Sequence, residues 1–264
     1  MPPQVLLLTG HARSGTTMLG ELCSYHPDLQ LTFEFHSFKN LNTTYHKYHK
    51  NLRKNWLKRR LIEKNPDDHT WKRKLYSFQF LMRYQWNLLS HRLSKKPVIY
   101  DDVRRILTKF YPNMQYVGDK YPRYIKQLDE LVTYPDVKIV VIYRDCRDVM
   151  ASVKKKTQTD WKDKPFLRKL YDTTENIVLS WVDAIETMER NAEHIHIIRY
   201  EDLVTSPANV VKKLADYLEV DFEGFDFSFI RTSSVGKHEK SLSDEDMAIV
   251  MELAGSTMQR LNYL

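Results

Sequence analysis

QVLLLTGHARSGTTMLGELCSY, residues 4–25, sets an apolar run against a glycine-bearing loop and then an amphipathic stretch. Residues 4–9 read as a buried strand, because short apolar runs closed by glycine suit the interior of a sheet. The spacing predicts a helix from Thr16 to Tyr25, ended by His26-Pro27. Gly10 to Thr17 fits G-x-x-x-x-G followed by a non-lysine and a threonine, a phosphate loop in all but its lysine. In kinases and nucleotidases that lysine reaches the β and γ phosphates. Here Thr16 stands in its place and Arg13 is the nearest cation, which suits a ligand with no γ-phosphate. Backbone N–H groups at a helix start, the hydroxyls of Ser14, Thr16 and Thr17, the open backbone of Gly15 and one arginine make a cradle for a single 5′-phosphate. The competing reading is a Gly-Ser turn that merely caps a helix.

Working outward, VKIVVIY at 137–143 and HIHIIR at 194–199 read as two further buried strands. Helices are predicted after them at 145–158 and about 207–219. Shorter strand candidates lie at 97–100 and 115–118, and a short strand precedes Glu34. Strands alternating with helices predict an α/β fold, a phosphate-loop-type parallel sheet flanked by helices. In such sheets ligands bind beyond the carboxyl ends of the strands, where the polar clusters fall. Residues 1–264 are expected to form one domain, with 36–95 a helical insertion or lid rich in aromatics such as Tyr48, Phe80, Tyr84 and Trp86. Ser243 followed by Asp244, Glu245 and Asp246 predicts a capped C-terminal packing helix.

Composition bounds the partners. Lys plus Arg number 41 against 34 Asp plus Glu, a net charge of +7 that favours anionic ligands without choosing among them. Residues 47–74 carry eleven Lys or Arg against Glu63, Asp67 and Asp68, which suits a solvated helical face or the recruitment of an acidic acceptor. A basic RNA or polyanion binder is the rival from another class; nucleic acid is not the expected partner. Cys23 and Cys146 are the only cysteines, so no disulfide framework is indicated and a cytoplasmic location is expected. The apolar run of the first ten residues is too short for a signal peptide or membrane span, so no membrane is expected. No His, Cys or carboxylate cluster has metal-ligand spacing, so no metal is required; His46 and His49 read as surface residues. The oligomeric state is not legible.

ARSGTTMLGELCSYHPDLQ, residues 12–30, resembles the 5′-phosphosulfate loop of sulfotransferases that use 3′-phosphoadenosine 5′-phosphosulfate (PAPS). The likeness is to tyrosylprotein sulfotransferases and bacterial relatives in particular, which share R-S-G-T-T followed by H-P-D. Tyr143 to Val153 resembles the family's 3′-phosphate motif, an R-D-x-R at a strand end with a serine eight residues after the first arginine. Arg144 and Ser152 occupy the binding positions. A strand-end arginine gives paired, charge-assisted bonds to phosphate, while pairing with Asp145 or Asp148 is the alternative, more so for Arg147. Arg199-Tyr200-Glu201-Asp202-Leu203 resembles R-Y-E-x-L, which places Tyr200 in the nucleotide pocket and leaves Glu201 structural. The loop from Thr232 to His238 resembles a closing element, with Ser234 and Lys237 as donor contacts and Lys240 as the alternative cation.

The resemblance implies a sulfotransferase that moves a sulfuryl group from PAPS to a hydroxyl, or amine, acceptor by in-line transfer. Such a step needs a base for the acceptor proton and cations for the developing charge. Glu34 stands where tyrosylprotein sulfotransferases carry their catalytic glutamate, and its apolar neighbours are expected to raise its pKa. His36 is the alternative base. Gly118 to Pro122 resembles the N-K-D-P element, so Lys120 is expected on the transferring group, supported by Arg13. A phosphate-loop kinase of a small molecule is the rival enzyme. The acceptor stays open among alcohol, phenol, glycan and tyrosyl peptide.

Overall fold

The computed structural model describes residues 3–56, 70–230 and 235–264. The chain begins with β1 (Gln4–Thr9), α1 (Thr16–Tyr25) and β2 (Leu29–Phe33). β3 (Thr43–Thr44) leads into α2 (Tyr45–Trp56), α3 (Thr70–Asn87) and α4 (Leu89–Ser94), followed by β4 (Pro97–Val98) and α5 (Tyr100–Phe110). The middle of the chain supplies β5 (Tyr116–Lys120), α6 (Leu128–Leu131), β6 (Val137–Tyr143), α7 (Cys146–Gln158), α8 (Pro165–Leu170) and α9 (Thr174–Arg190). β7 (His196–Arg199), α10 (Tyr200–Thr205), α11 (Pro207–Leu218) and α12 (Asp244–Arg260) complete it.

Five strands form one parallel sheet in the order β2-β5-β1-β6-β7. Side chains alternate across a strand, and this sheet uses the alternation to feed two apolar layers. Val5, Leu7, Ile139 and Val141 pack on one side with Ile106, Val149, Trp181 and Met258 from α5, α7, α9 and α12. Leu6, Leu8, Val140 and Ile142 pack on the other with Leu19, Leu203 and Leu214 from α1, α10 and α11. All of them are buried, which is why the two strongest strands read as unbroken apolar runs.

The chain leaves β1 through α1 toward β2 at one edge, whereas β6 and β7 lie on the other side of β1. This reversal at β1 makes the crevice in which open α/β sheets hold ligands. Helix starts are capped where the sequence supplies a short polar side chain. Asp145 accepts from the Arg147 backbone N–H at 2.8 Å, and Ser243 and Asp246 form a reciprocal capping box on α12.

Two local expectations change. The 97–100 run contributes only Pro97–Val98, which pairs antiparallel with Thr43–Thr44 outside the main sheet, and Ile99 then takes the position before α5 with its N–H donating to Asp102. The 115–118 run continues through Lys120, because Asp119 and Lys120 pair with Leu7 and Leu8 of β1; Gly118 lies opposite Leu6, where a Cβ would collide with the Leu6 carbonyl. Between β2 and β5, Tyr48, Phe80 and Tyr84 join the core; Phe35 meets both Phe80 and Tyr84 edge-on at 5.3 Å. Trp86, in the same insertion, is exposed. Residues 57–69, and the side chains of 51, 53–56 and 70–77, lie outside the described part, which removes most of the basic 47–74 stretch from view. Cys23 and Cys146 are buried free thiols, and no described helix is long and apolar enough to cross a membrane.

Candidate active site

Each of the five main strands delivers a candidate residue at or just beyond its carboxyl end. These are the Gly10–Thr17 loop after β1, Glu34 after β2, Lys120 at the end of β5, Arg144 after β6 and Tyr200 after β7. The loop lies flat against its neighbours because two glycines permit it. Gly10 has φ 147° and Gly15 has φ 96°; a Cβ on Gly10 would strike the Ile142 carbonyl, and one on Gly15 would sit 2.5 Å from the Tyr200 ring. α1 starts at Gly15 with no side-chain cap and no acid in its first turn, so side chains leave its first N–H groups unfilled. The Ser14 hydroxyl is buried and has no partner among the described residues.

Beside the loop stands a pair of arginines. The Arg13 Nε donates to Ser152 Oγ at 3.0 Å, and Arg144 NH1 makes a long contact of 3.5 Å to the Arg13 carbonyl. The buried Arg144 guanidinium lies over the Tyr200 ring at 4.5 Å and donates to Asp148 at 3.0 Å. Burial first, and repulsion from Arg144 second, lower the Arg13 pKa. Arg13 from the loop and Arg144 from the end of β6 are therefore neighbours in one cluster.

Asp148, in sequence only an alternative partner for Arg144, holds a second segment as well. Its side chain accepts from the backbone N–H groups of Gly236 and His238 at 2.9 and 3.1 Å and pairs with His238 Nδ1 at 2.9 Å. Burial raises its pKa, but hydrogen bonds from His238 and Arg144 outweigh that and hold the carboxyl below its usual range. It thus ties the 235–238 loop to Arg144. Ser234 lies outside the described residues, as do the side chains of Lys237 and Lys240. Arg147 turns away to Asp145, at 2.6 Å, and to the Tyr263 carbonyl at 3.1 Å. Glu201 accepts from the Asp145 N–H and the Tyr263 hydroxyl.

On the β5 side, Lys120 donates to Glu34 at 3.0 Å and to Thr17 Oγ1 at 3.4 Å. The Lys120 side chain is 3% exposed and that of Glu34 23%. A charged partner, rather than apolar neighbours alone, therefore surrounds Glu34. Arg13, expected to support Lys120, reaches Ser152 instead, and Thr17 is the loop residue that meets the lysine. Glu34 and His36 both have positive φ, at 56° and 66°. Asp119, buried beside Lys120, enforces this bend by accepting from the Phe35 and His36 N–H groups at 3.1 and 2.9 Å, with Thr32 and Tyr124 completing its shell. Burial pushes the Asp119 carboxyl up to about 6 against those four donors. His36 stacks on Tyr121 with ring centroids 3.8 Å apart, and burial, then Lys39, Arg123 and Lys120, push its imidazole down to about 3.

His46 is exposed and His49 half-buried against Tyr45, and no group of three metal-ligating side chains assembles among the described residues.

A parallel sheet with a glycine-bearing loop between its central strand and the next helix is of the phosphate-loop type. Residues 4–224 match the Sulfotransferase family, and the chain belongs to it. The sulfotransferase domain of the Synechococcus PCC 7002 olefin synthase is 18% identical, with a TM-score of 0.62 over 97% of this chain and 94% of that one. The sulfotransferase domain from the curacin biosynthetic pathway is 17% identical, with a TM-score of 0.58 over 96% and 98%. A sulfotransferase from Alicyclobacillus acidocaldarius is 16% identical, with a TM-score of 0.51 over 97% and 96%. No curated protein matches the sequence.

Proposed function

We propose that the protein transfers a sulfuryl group from PAPS to an acceptor hydroxyl or amine. The observation that carries this reading is the meeting of Arg13, Ser152, Arg144 and Tyr200 beside a glycine loop that lacks the kinase lysine. The residues fit a nucleotide with phosphates at both the 5′ and 3′ positions. The loop offers open N–H groups and the Ser14 hydroxyl to the first. Arg144 and Arg13 offer two guanidinium groups to the second, with Ser152 held by Arg13, and the Tyr200 ring forms a wall. Ser234 and Lys237, or Lys240, belong to the loop that would close over the donor, and Asp148 anchors that loop through Gly236 and His238.

PAPS supplies an activated sulfuryl group; the chain orients it and manages charge and proton. Glu34 takes the proton from the acceptor hydroxyl as the oxygen attacks sulfur. Lys120, 3.0 Å from that carboxylate and 3.4 Å from the loop hydroxyl of Thr17, spans base and phosphate cradle and neutralises charge on the oxygen that leaves. His36, buried and packed on the Tyr121 ring with its imidazole pushed down to about 3, is the alternative base. Residues 36–95 shape the acceptor site as a lid, and two buried free thiols suit a reducing cytoplasm.

A thermal-shift comparison tests the donor assignment. 3′-Phosphoadenosine 5′-phosphate (PAP) is expected to raise the melting temperature, because a ligand that binds only the folded state stabilises it. Stabilisation by ATP with none by PAP contradicts the assignment and favours a kinase.

A further inference from the structure

We propose that Lys39 and Arg123 form a subsite for an anionic group, a carboxylate or phosphate, carried by the acceptor itself. The inference rests on the transferase reading of Glu34 and Lys120. Apart from Arg13, which donates to the Ser152 hydroxyl, the other named cations around the candidate site are matched by carboxylates: Lys120 with Glu34, Arg144 with Asp148, Arg147 with Asp145 and Lys126 with Asp183. Lys39 and Arg123 make no ion pair with a carboxylate among the described residues. Both are half-buried. They also sit in each other's field, since burial first and Arg123 second lower the Lys39 ammonium. Two half-buried like charges with no carboxylate partner among the described residues are unfavourable in the folded protein, and such an arrangement fits a site completed by a ligand.

Their surroundings place them next to the chemistry. The Lys39 ammonium lies 5.7 Å from the centroid of the Tyr121 ring, the same ring on which His36 stacks at 3.8 Å. His36 is two residues from Glu34, and Lys39, Arg123 and Lys120 all act on its imidazole. Arg123 lies 4.6 Å from the Phe166 ring centroid. The segment that presents Lys39 is held in uncommon geometry, with positive φ at Glu34, His36, Asn40 and Asn42. Asp119 hooks its first turn, and the Lys39 N–H closes on the His36 carbonyl at 3.1 Å. Strain of this kind persists where the surrounding structure over-determines it, commonly at ligand clamps. A guanidinium fork and an ammonium beside aromatic rings suit an acceptor with its hydroxyl at Glu34 and an acidic group a short span away.

The test uses calorimetric binding to the enzyme saturated with PAP, where no transfer occurs. Three pairs of acceptors serve as probes: 4-hydroxyphenylacetate and 3-hydroxydecanoate, each against its methyl ester, and 4-hydroxyphenyl phosphate against hydroquinone. The wild type is expected to bind at least one anion about tenfold or more tightly than its neutral partner. Lys39→Met and Arg123→Met together are expected to abolish that preference while PAP affinity and the neutral acceptors are unchanged. A preference that survives the double substitution, or a wild type that favours no anion, overturns the proposal. Loss of PAP affinity in the double variant also overturns it, because the two cations would then serve the donor. A wild type that binds the anions but not PAP breaks the donor reading and leaves the subsite standing.

Discussion

The two sides of the site are built from different materials. On the phosphate side, backbone does the shaping: Gly10 and Gly15 let the loop lie against Ile142 and Tyr200, and α1 presents an uncapped start. On the transfer side, a buried carboxylate does it: Asp119 accepts from four donors and bends the chain so that Glu34 meets Lys120. A ligand read by backbone tolerates few changes of shape, whereas a base and its cation are set by a few side chains that substitution can separate. The two sides should therefore fail differently, one in donor affinity and the other in turnover.

The largest separation is expected from Glu34→Gln. Removing a general base should lower kcat by about a hundredfold or more while PAP affinity stays unchanged in a titration. Equal losses in both would place Glu34 on the donor and erase the distinction. Arg144→Met should do the reverse and weaken PAP by about a hundredfold, since a buried charge-assisted contact is lost. It should also lower the melting temperature, because Asp148 keeps only its His238 and Gly236 partners.

Asp119→Asn sharpens the contrast at intermediate size. It should reduce kcat by about tenfold with little effect on PAP, as expected for a group that positions Glu34 without touching substrate. The pH dependence of stability gives a second readout. The Asp119 carboxyl titrates at about 6 in the fold against 3.8 for the free side chain. The folded state then holds a proton that the unfolded state has released, so this contribution is present below about 4 and is lost as pH rises through about 6. His36 and His11, pushed down to about 3 and about 4, act in the opposite sense, and their contribution is lost as pH falls below 6.5. The melting temperature of the wild type minus that of Asp119→Asn should therefore decline between pH 4 and 6 and then level. A flat difference contradicts the role given to Asp119.

The smallest effects come from the edge of the phosphate side. Ser152→Ala removes one hydroxyl partner of Arg13 and should weaken PAP by about three- to tenfold, the size of a single hydrogen bond. Arg147→Met should leave PAP affinity unchanged and cost only stability, since Arg147 serves Asp145 and Tyr263. A donor-affinity loss in Arg147→Met would extend the phosphate site beyond Arg144.

Much of the fold is legible in the sequence. Strands β1 and β6 and helix α1 follow from apolar runs and loop spacing, because each strand is buried on both faces and its residues leave no alternation to misread. The Gly10–Thr17 loop is legible because glycines at fixed spacing after a strand have few other uses. Asp119 and Asp148 are not. Both look like acids flanking a more conspicuous cation, and only tertiary contacts at sequence separations of about eighty to ninety residues reveal what they hold. The 97–100 run misled because its apolar residues serve a two-residue pairing and the start of a helix. Arg13 was placed in the loop correctly, but nothing local fixes where a long side chain with a positive φ at its own residue points.

The most direct test of the account is the affinity assigned to the 3′-phosphate, measured by titrating the wild type with PAP and with 5′-AMP. PAP should bind about a hundredfold or more tightly than AMP, because only PAP engages Arg144, Arg13 and Ser152. The advantage should vanish in Arg144→Met. Equal affinity for the two nucleotides in the wild type would contradict the account, since the paired arginines would then have no phosphate to serve.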